Sequence, residues 1–238
     1  MKITVINGTG QRRITYRLKE KFLENFKGAE ITEFYLPKDC PAFCVGCVNC
    51  VLKGAEFCKD AGCIQPIVRA LDEADLIVMT TPAYVFHATG AMKSFLDHLA
   101  YRWMAHRPSE KMFSKRAVII SQCLGAGVKS AVKDVKDSLS WWGVSKIGVF
   151  KGKLFGGIDW EKLPEKRKKK LKKGIAKLSA KFAKIDYGKP ARASLATKVR
   201  FLFCRLVQKA YHGNPPVSCD DAYWTEKGWY GKARPWKN

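Results

Sequence analysis

Five short apolar runs alternate with amphipathic stretches over the first 150 residues, and this alternation constrains the fold more than any other feature. The runs are Lys2–Asn7, Ile31–Leu36, Asp75–Thr81, Arg116–Ser121 and Val144–Phe150. The third, Asp-Leu-Ile-Val-Met-Thr-Thr, is apolar almost throughout, as a strand buried on both faces requires. Between the runs, helices are predicted over Thr15–Phe26, Ile64–Glu73, Thr89–Met104 and Ser130–Trp142. Leu18, Phe22, Leu23 and Phe26 recur at helical spacing, and Gly28 is placed to end that helix. Repeated strand–helix alternation argues for an α/β fold with a parallel sheet covered on both faces. In such sheets ligands bind beyond the carboxyl ends of the strands, so the loops after the strands are the place to seek chemistry.

The loop after the first strand is Asn7-Gly8-Thr9-Gly10-Gln11-Arg12-Arg13-Ile14-Thr15. Its glycines allow a sharp turn, and the helix that follows offers unpaired N–H groups and partial positive charge to a phosphate. Thr9 and Thr15 add hydroxyls, and Arg12 or Arg13 adds charge. The same residues also describe a plain β-to-α turn with hydroxyl caps. The loop after the third strand, Pro82-Ala83-Tyr84-Val85-Phe86-His87, crowds three rings into four positions. Exposed rings at a strand end suit a flat ligand, whereas Tyr84 and Phe86 packed beneath the loop would serve only structure.

Gly8-Thr9 with Thr15, then Pro82-Ala83-Tyr84 followed by Thr89-Gly90-Ala91-Met92-Lys93-Ser94-Phe95-Leu96-Asp97, resembles the flavodoxin-fold NAD(P)H-dependent FMN reductase family. The resemblance covers about residues 1–150 and implies a flavodoxin-like, doubly wound, five-stranded parallel sheet of order 2-1-3-4-5. It implies FMN as cofactor, with its phosphate at Gly8, Thr9, Gly10, Gln11, Arg12, Arg13 and Thr15. The ring system would lie on Pro82, Ala83, Tyr84, Val85 and Phe86. The third loop, with Ser121, Gly125, Ala126 and Gly127, would close the other side. The family often carries Ser-Pro-Arg in the phosphate loop where this chain has Thr9-Gly10-Gln11, which leaves the phosphate-contacting side chains open. The implied activity passes reducing equivalents from NAD(P)H through FMN to a quinone, a nitro compound, a flavin or another small acceptor. No side-chain acid or base is obligatory, because the flavin carries the chemistry; Ser121, Tyr84 and His87 are candidate proton sources. His98, Arg102 and His106 fall at four-residue spacing, which predicts a polar helix face.

Cys44, Cys47, Cys50 and Cys58 read C-x2-C-x2-C-x7-C, with Cys40 and Cys63 outside them. Closely spaced thiols suggest a metal, and a four-cysteine set suits an iron–sulfur cluster or zinc. The spacing resembles that of iron–sulfur flavoproteins, but Gly62-Cys63 stands where relatives often have two acidic residues. Free, redox-active thiols are the expected state, a [4Fe-4S] cluster on these four cysteines is the alternative, and zinc ranks third.

The chain carries a formal net charge of +23, and the charge is lopsided. Residues 1–150 hold 21 of the 44 Lys and Arg and 14 of the 21 Asp and Glu, so residues 151–238 hold the larger excess. Residues 151–238 are expected to form a basic helical extension with an aromatic tail, beside an FMN-binding domain over 1–150. Leu171, Ile175, Leu178, Phe182 and Ile185 form one helical stripe among lysines. Val199, Leu202, Phe203, Leu206 and Ala210 form a second, with Lys198, Arg205 and Lys209 opposite, and it is expected to dock on the domain or on a partner copy. Tyr223, Trp224, Trp229, Tyr230 and Trp236 should cover apolar surface on the domain or across a homodimer. Met1-Lys2 runs directly into a strand pattern without a secretory signal, and no run of about 18 apolar residues occurs, so a cytoplasmic protein without a membrane span is expected. Association with a membrane surface stays open. A flavodoxin-like or iron–sulfur electron carrier that never binds nicotinamide is the competing reading, and a binder of nucleic acid or membrane surface is a more remote one. No specific nucleic-acid signature is present.

Overall fold

The computed structural model describes residues 1–155 and 159–237. β1 (Lys2–Asn7), β2 (Glu30–Tyr35), β3 (Leu76–Pro82), β4 (Arg116–Cys123) and β5 (Lys146–Lys153) form one five-stranded parallel sheet of order β2-β1-β3-β4-β5. This is the order that the resemblance implies. β3 is central and buried at every position, which explains its unbroken apolar run.

One face of the sheet is covered by α4 (Ala61–Glu73), α5 (Gly90–His98) and α6 (Val128–Trp141). There Ile6, Ile77, Met79 and Ile119 pack with Ile67, Leu71, Phe95 and Leu139. The other face is covered by α1 (Ile14–Leu23) and α7 (Glu165–Ala183), where Ile3, Val5, Val78 and Val118 meet Leu18, Phe22, Ile175 and Phe182. The lysine-rich α7 thus contributes its apolar stripe to the main core. Ser179 of α7 donates to the carbonyl of Phe22, and Asn25 donates to Ser179 at 2.9 Å. A Cβ on Gly148 would come within 2.5 Å of the Phe182 ring, so β5 needs glycine where α7 crosses it.

Two short helices, α2 (Leu36–Asp39) and α3 (Asn49–Leu52), lie in the cysteine-bearing segment between β2 and α4. α8 (Leu195–Ala210) and α9 (Ser218–Glu226) follow α7. With the tail they build an aromatic corner: Phe201 stacks on Trp224 at 5.2 Å between centroids and meets Trp229 and Trp236 edge-on, each also at 5.2 Å. α8 docks through Thr197, Phe201 and Cys204. The stripe of Val199, Leu202, Phe203 and Leu206 faces outward and so does not dock on its own domain; Phe201, stacked on Trp224, takes the inner place.

The expected helix over Thr89–Met104 ends at His98, and a 3-10 turn over Ala100–Arg102 follows. His98, Arg102 and His106 therefore share no polar face. His98 is buried beside Cys58, Arg102 forms an ion pair with Asp72, and His106 meets Asp220 at 2.7 Å. Among the described residues no helix is long and apolar enough to cross a membrane.

Lys115 is buried at the start of β4 and donates to the carbonyls of Asp72, at 2.8 Å, and Ala74. Burial pushes its pKa down to about 8, against the partial opposition of Asp72 and Asp75. Between pH 8 and its ordinary value of 10.5, the unfolded chain holds the proton that the folded chain has lost. Folding stability contributed by this residue should therefore rise with pH across that window and lie at its lowest below pH 8. Urea titrations of the protein and of Lys115→Met should show their difference shifting in favour of the native chain as pH increases; a difference independent of pH would contradict this.

Candidate active site

The carboxyl ends of β1, β2 and β3 are tied by a largely buried polar network. Asn7, the last residue of β1, donates through Nδ2 to Glu33 at 3.1 Å and to the Phe34 carbonyl at 3.2 Å, and accepts from Thr80 at 3.1 Å. Glu33 also holds the fully buried Lys19, with the nearer contact at 2.6 Å. Burial works against the Lys19 charge, but hydrogen bonds to Glu20 and Glu33 outweigh it and leave the pKa raised.

Directly beyond Asn7, Gly8 donates its N–H to the Thr80 carbonyl at 2.8 Å. A Cβ on Gly8 would lie 2.9 Å from Thr89 Oγ1 and 3.0 Å from the Thr80 oxygen, so only glycine lets the first loop approach β3 this closely. Thr89 donates to the Gly8 carbonyl at 2.6 Å, and the same oxygen caps α5 by accepting from the Met92 N–H at 3.2 Å. Its own N–H donates to Thr81 Oγ1 at 3.1 Å.

Tyr84 and His87 exchange both backbone hydrogen bonds, at 2.9 and 3.0 Å, across a two-residue turn. Val85 and Phe86 at its tip have φ of 46° and 67°, the left-handed pair such a turn demands, in residues that pay strain to adopt it. Two contacts hold the turn. Asp134 of α6 accepts from the Ala88 N–H at 3.0 Å and lies 3.2 Å from His87 Nδ1. Gly127 of the third loop abuts the Phe86 backbone so closely that a Cβ there would come within 2.6 Å of Phe86 Cα.

The three loops enclose a cleft of about 130 Å³. Thr9, Gln11, Arg13 and Thr15 line it from the first loop, Pro82, Ala83 and Tyr84 from the second, and Gln122, Leu124 and Leu154 from the far wall. Gln11 donates its N–H to Thr9 Oγ1 at 3.2 Å, and Gln122 Nε2 donates to Thr15 Oγ1 at 3.2 Å. Gly10 is exposed, and Arg12 lies over the Tyr16 ring at 5.5 Å. Val85 and Phe86 project into solvent, 93% and 64% exposed, and Gly125 and Ala126 are exposed on the third loop. Ser121 is fully buried beneath the cleft, and its Oγ has no hydrogen-bond partner among the described residues. Asn7, Thr89, Gln122 and Asp134 do most of the positioning, although the sequence motifs did not single them out for it. Asn7 carried a signal, as a lone amide ending an apolar strand just before the glycines.

The cysteine segment lies against α5, with the Cys44 N–H donating to Ser94 Oγ at 3.2 Å. Burial first, then the charges of neighbouring thiols and, at Cys58, of Asp60, raises the Cys50 and Cys58 pKa values against backbone hydrogen bonds that lower them; Cys44 and Cys47 act on both. Cys40, 4.0 Å from Cys63 in sulfur separation, is pushed up to about 12 by burial and by that neighbour. Among the described residues, the one metal-type group drawn within 4.8 Å is Cys58, Asp60 and His98. The four spaced thiols therefore stand too far apart to share a single zinc ion in this conformation.

Replacing Thr89 by valine keeps its shape and removes the cap and the tie to Gly8. A loss of about 1–3 kcal/mol in unfolding free energy is expected from urea titration; a change of only a few tenths would show that the hydroxyl does not hold the loops.

Residues 1–151 match the family described as NADPH-dependent FMN reductase. An iron-sulfur flavoprotein of Archaeoglobus fulgidus is 27% identical over 227 residues, covering 93% of each chain. An NADPH azoreductase of a Bacillus species is 26% identical over 108 residues, covering 45% of this chain and 55% of its own. The solved FMN-dependent NADH-azoreductase of Bacillus anthracis, in complex with FMN, superposes with a TM-score of 0.59 at 13% identity, over 77% of this chain and all of that one. That likeness is one of fold, whereas the family match spans well over half of the chain, and the protein belongs to the NADPH-dependent FMN reductase family.

Proposed function

We propose that this oxidoreductase binds FMN in the cleft between the loops after β1, β3 and β4 and passes electrons from a nicotinamide to small aromatic or quinonoid acceptors. The observation that carries the reading is the cleft itself. It joins a hydroxyl- and arginine-bearing helix start to a wall of Pro82, Ala83, Tyr84 and Leu124. The first-turn N–H groups of α1 lack intrahelical partners, no acidic residue stands in that turn, and Arg13 adds positive charge. A phosphate monoester suits these donors. Gln122 Oε1 is buried at the cleft wall without a hydrogen-bond partner among the described residues, and a hydroxyl or ring N–H of the cofactor would satisfy it.

Bound FMN supplies the chemistry of hydride acceptance and electron delivery. The chain's own residues hold, orient and shield. Thr89 and Gly127 fix the spacing between the walls, and the strained tip at Val85 and Phe86 leaves the outer side open to a second flat molecule. His87, 3.2 Å from Asp134 and 3.1 Å from Ser130, stands exposed on the hairpin beside the cleft. Names among the relatives include azoreductase, so azo compounds join quinones, nitro compounds and free flavins as acceptors to test.

A second reading, an electron carrier with an iron–sulfur cluster, is favoured by the cysteine segment. Burial, with the charges of the neighbouring Cys44 and Cys47 thiols added to it, raises the thiol pKa values of Cys50 and Cys58, and bound iron would lower them. Asp60 Oδ2 is buried nearby, 3.5 Å from Lys59 Nζ and 3.7 Å from His98 Nε2, and makes no hydrogen bond among the described residues. The residues fit such a group, and the Archaeoglobus relative carries it in its name.

Two measurements separate the readings. Steady-state oxidation of NADPH and NADH by the FMN-loaded protein should be accelerated by quinone, nitro or azo acceptors; no turnover with any of them would leave only the carrier. Iron and sulfide analysis of anaerobically purified protein should find roughly four irons per chain if the cluster forms. Its absence, with thiols open to alkylation, would assign the segment to free cysteines.

A further inference from the structure

We propose that the outward face of α8 docks on an anionic lipid bilayer. Leu195, Val199, Phe203 and Leu206 are 78%, 57%, 62% and 68% exposed, and Leu202 and Val207 widen the same ridge. Their spacing places them on one side of the helix, opposite the buried Thr197, Phe201 and Cys204, the last two of which lie in the aromatic corner. The helix is therefore apolar on two sides. One side has its partner in the fold, and the other presents a continuous ridge of a kind that marks an interaction surface.

The charges around the ridge choose its partner. α8 contains Lys198, Arg200, Arg205 and Lys209 and no acidic residue. Along one flank, Arg205 donates to the carbonyls of Tyr230 and Gly231, and Lys198 lies 5.9 Å from the Trp236 ring. These contacts bring the tail, with Lys232, Arg234 and Lys237, alongside the helix. On the other flank, Arg200 shares a groove with Lys129, Lys133, Lys136 and Lys151. Among the described residues, Lys133 alone of these has a carboxylate partner, Asp137.

A second copy laid ridge to ridge would bring cations against cations as water leaves the contact. Nucleic acid would engage the charges and leave the ridge in water. An anionic bilayer meets both demands: acyl chains receive the leucines and Phe203, and headgroups receive the lysines and arginines. The ridge belongs to a helix lying in the interface plane.

The FMN-loaded full chain should cosediment with vesicles of mixed phosphatidylglycerol and phosphatidylcholine, weakly or not at all with phosphatidylcholine alone, and less as salt is raised. Phe203→Ser combined with Leu206→Ser, and separately Lys198→Glu combined with Lys209→Glu, should each lower binding at least about tenfold. The bound FMN spectrum and the circular dichroism should stay unchanged, which separates lost docking from lost folding. Failure to cosediment, or either pair of substitutions leaving binding intact, would overturn the proposal. So would sedimentation equilibrium showing a dimer that the Phe203 and Leu206 substitutions dissociate, which would give the ridge to a second copy.

Discussion

The hydroxyl of Thr89 lies where the loops after β1 and β3 meet, and the active-site geometry depends on it. It donates to Gly8 at 2.6 Å and caps α5 through Met92. One oxygen thus sets both the height of the first loop and the start of the helix behind the second. Beneath it, Asn7 ties β1 to β2 and β3, and Glu33 joins Asn7 to the buried Lys19 of α1. Removing one member of such a network strands the others without water to replace it. The loops can therefore stay open to solvent while their roots remain fixed.

Rigidity at the root permits strain at the tip. Val85 and Phe86 occupy the left-handed region that Asn-Gly would fill at no cost. The turn holds because Asp134 grips its far end and Gly127 lets the third loop press against it. The result is an exposed apolar tip beside a cleft, an arrangement that serves recognition better than stability.

The strands and the three loops were legible in the sequence because they rest on local signals: the unbroken apolar run of β3, glycines at Gly8 and Gly127, and the residues from Pro82 to Tyr84; the strand order came from the family resemblance. What escaped was non-local. Glu33 meets Asn7 across two strands, and Asp134 reaches the hairpin from the following helix. Helical spacing made His98, Arg102 and His106 look like one face, but spacing cannot show that the helix ends at His98. Periodicity likewise found the apolar stripe on α8 and could not say which side the fold would bury. Phe201, outside the stripe, won that place by stacking on Trp224 at 5.2 Å. The lysines of α7 hid how fully its apolar stripe enters the main core.

The central claim is that the cleft is built for a flavin held by its phosphate. Fluorescence quenching compares FMN with riboflavin, which lacks the phosphate, on the native chain and on Thr9→Ala combined with Thr15→Ala. Native protein should bind FMN more tightly than riboflavin, and the double substitution should remove about 1–3 kcal/mol of that preference. Equal affinity for the two ligands in the native protein, or no binding of either at micromolar protein, would contradict the account.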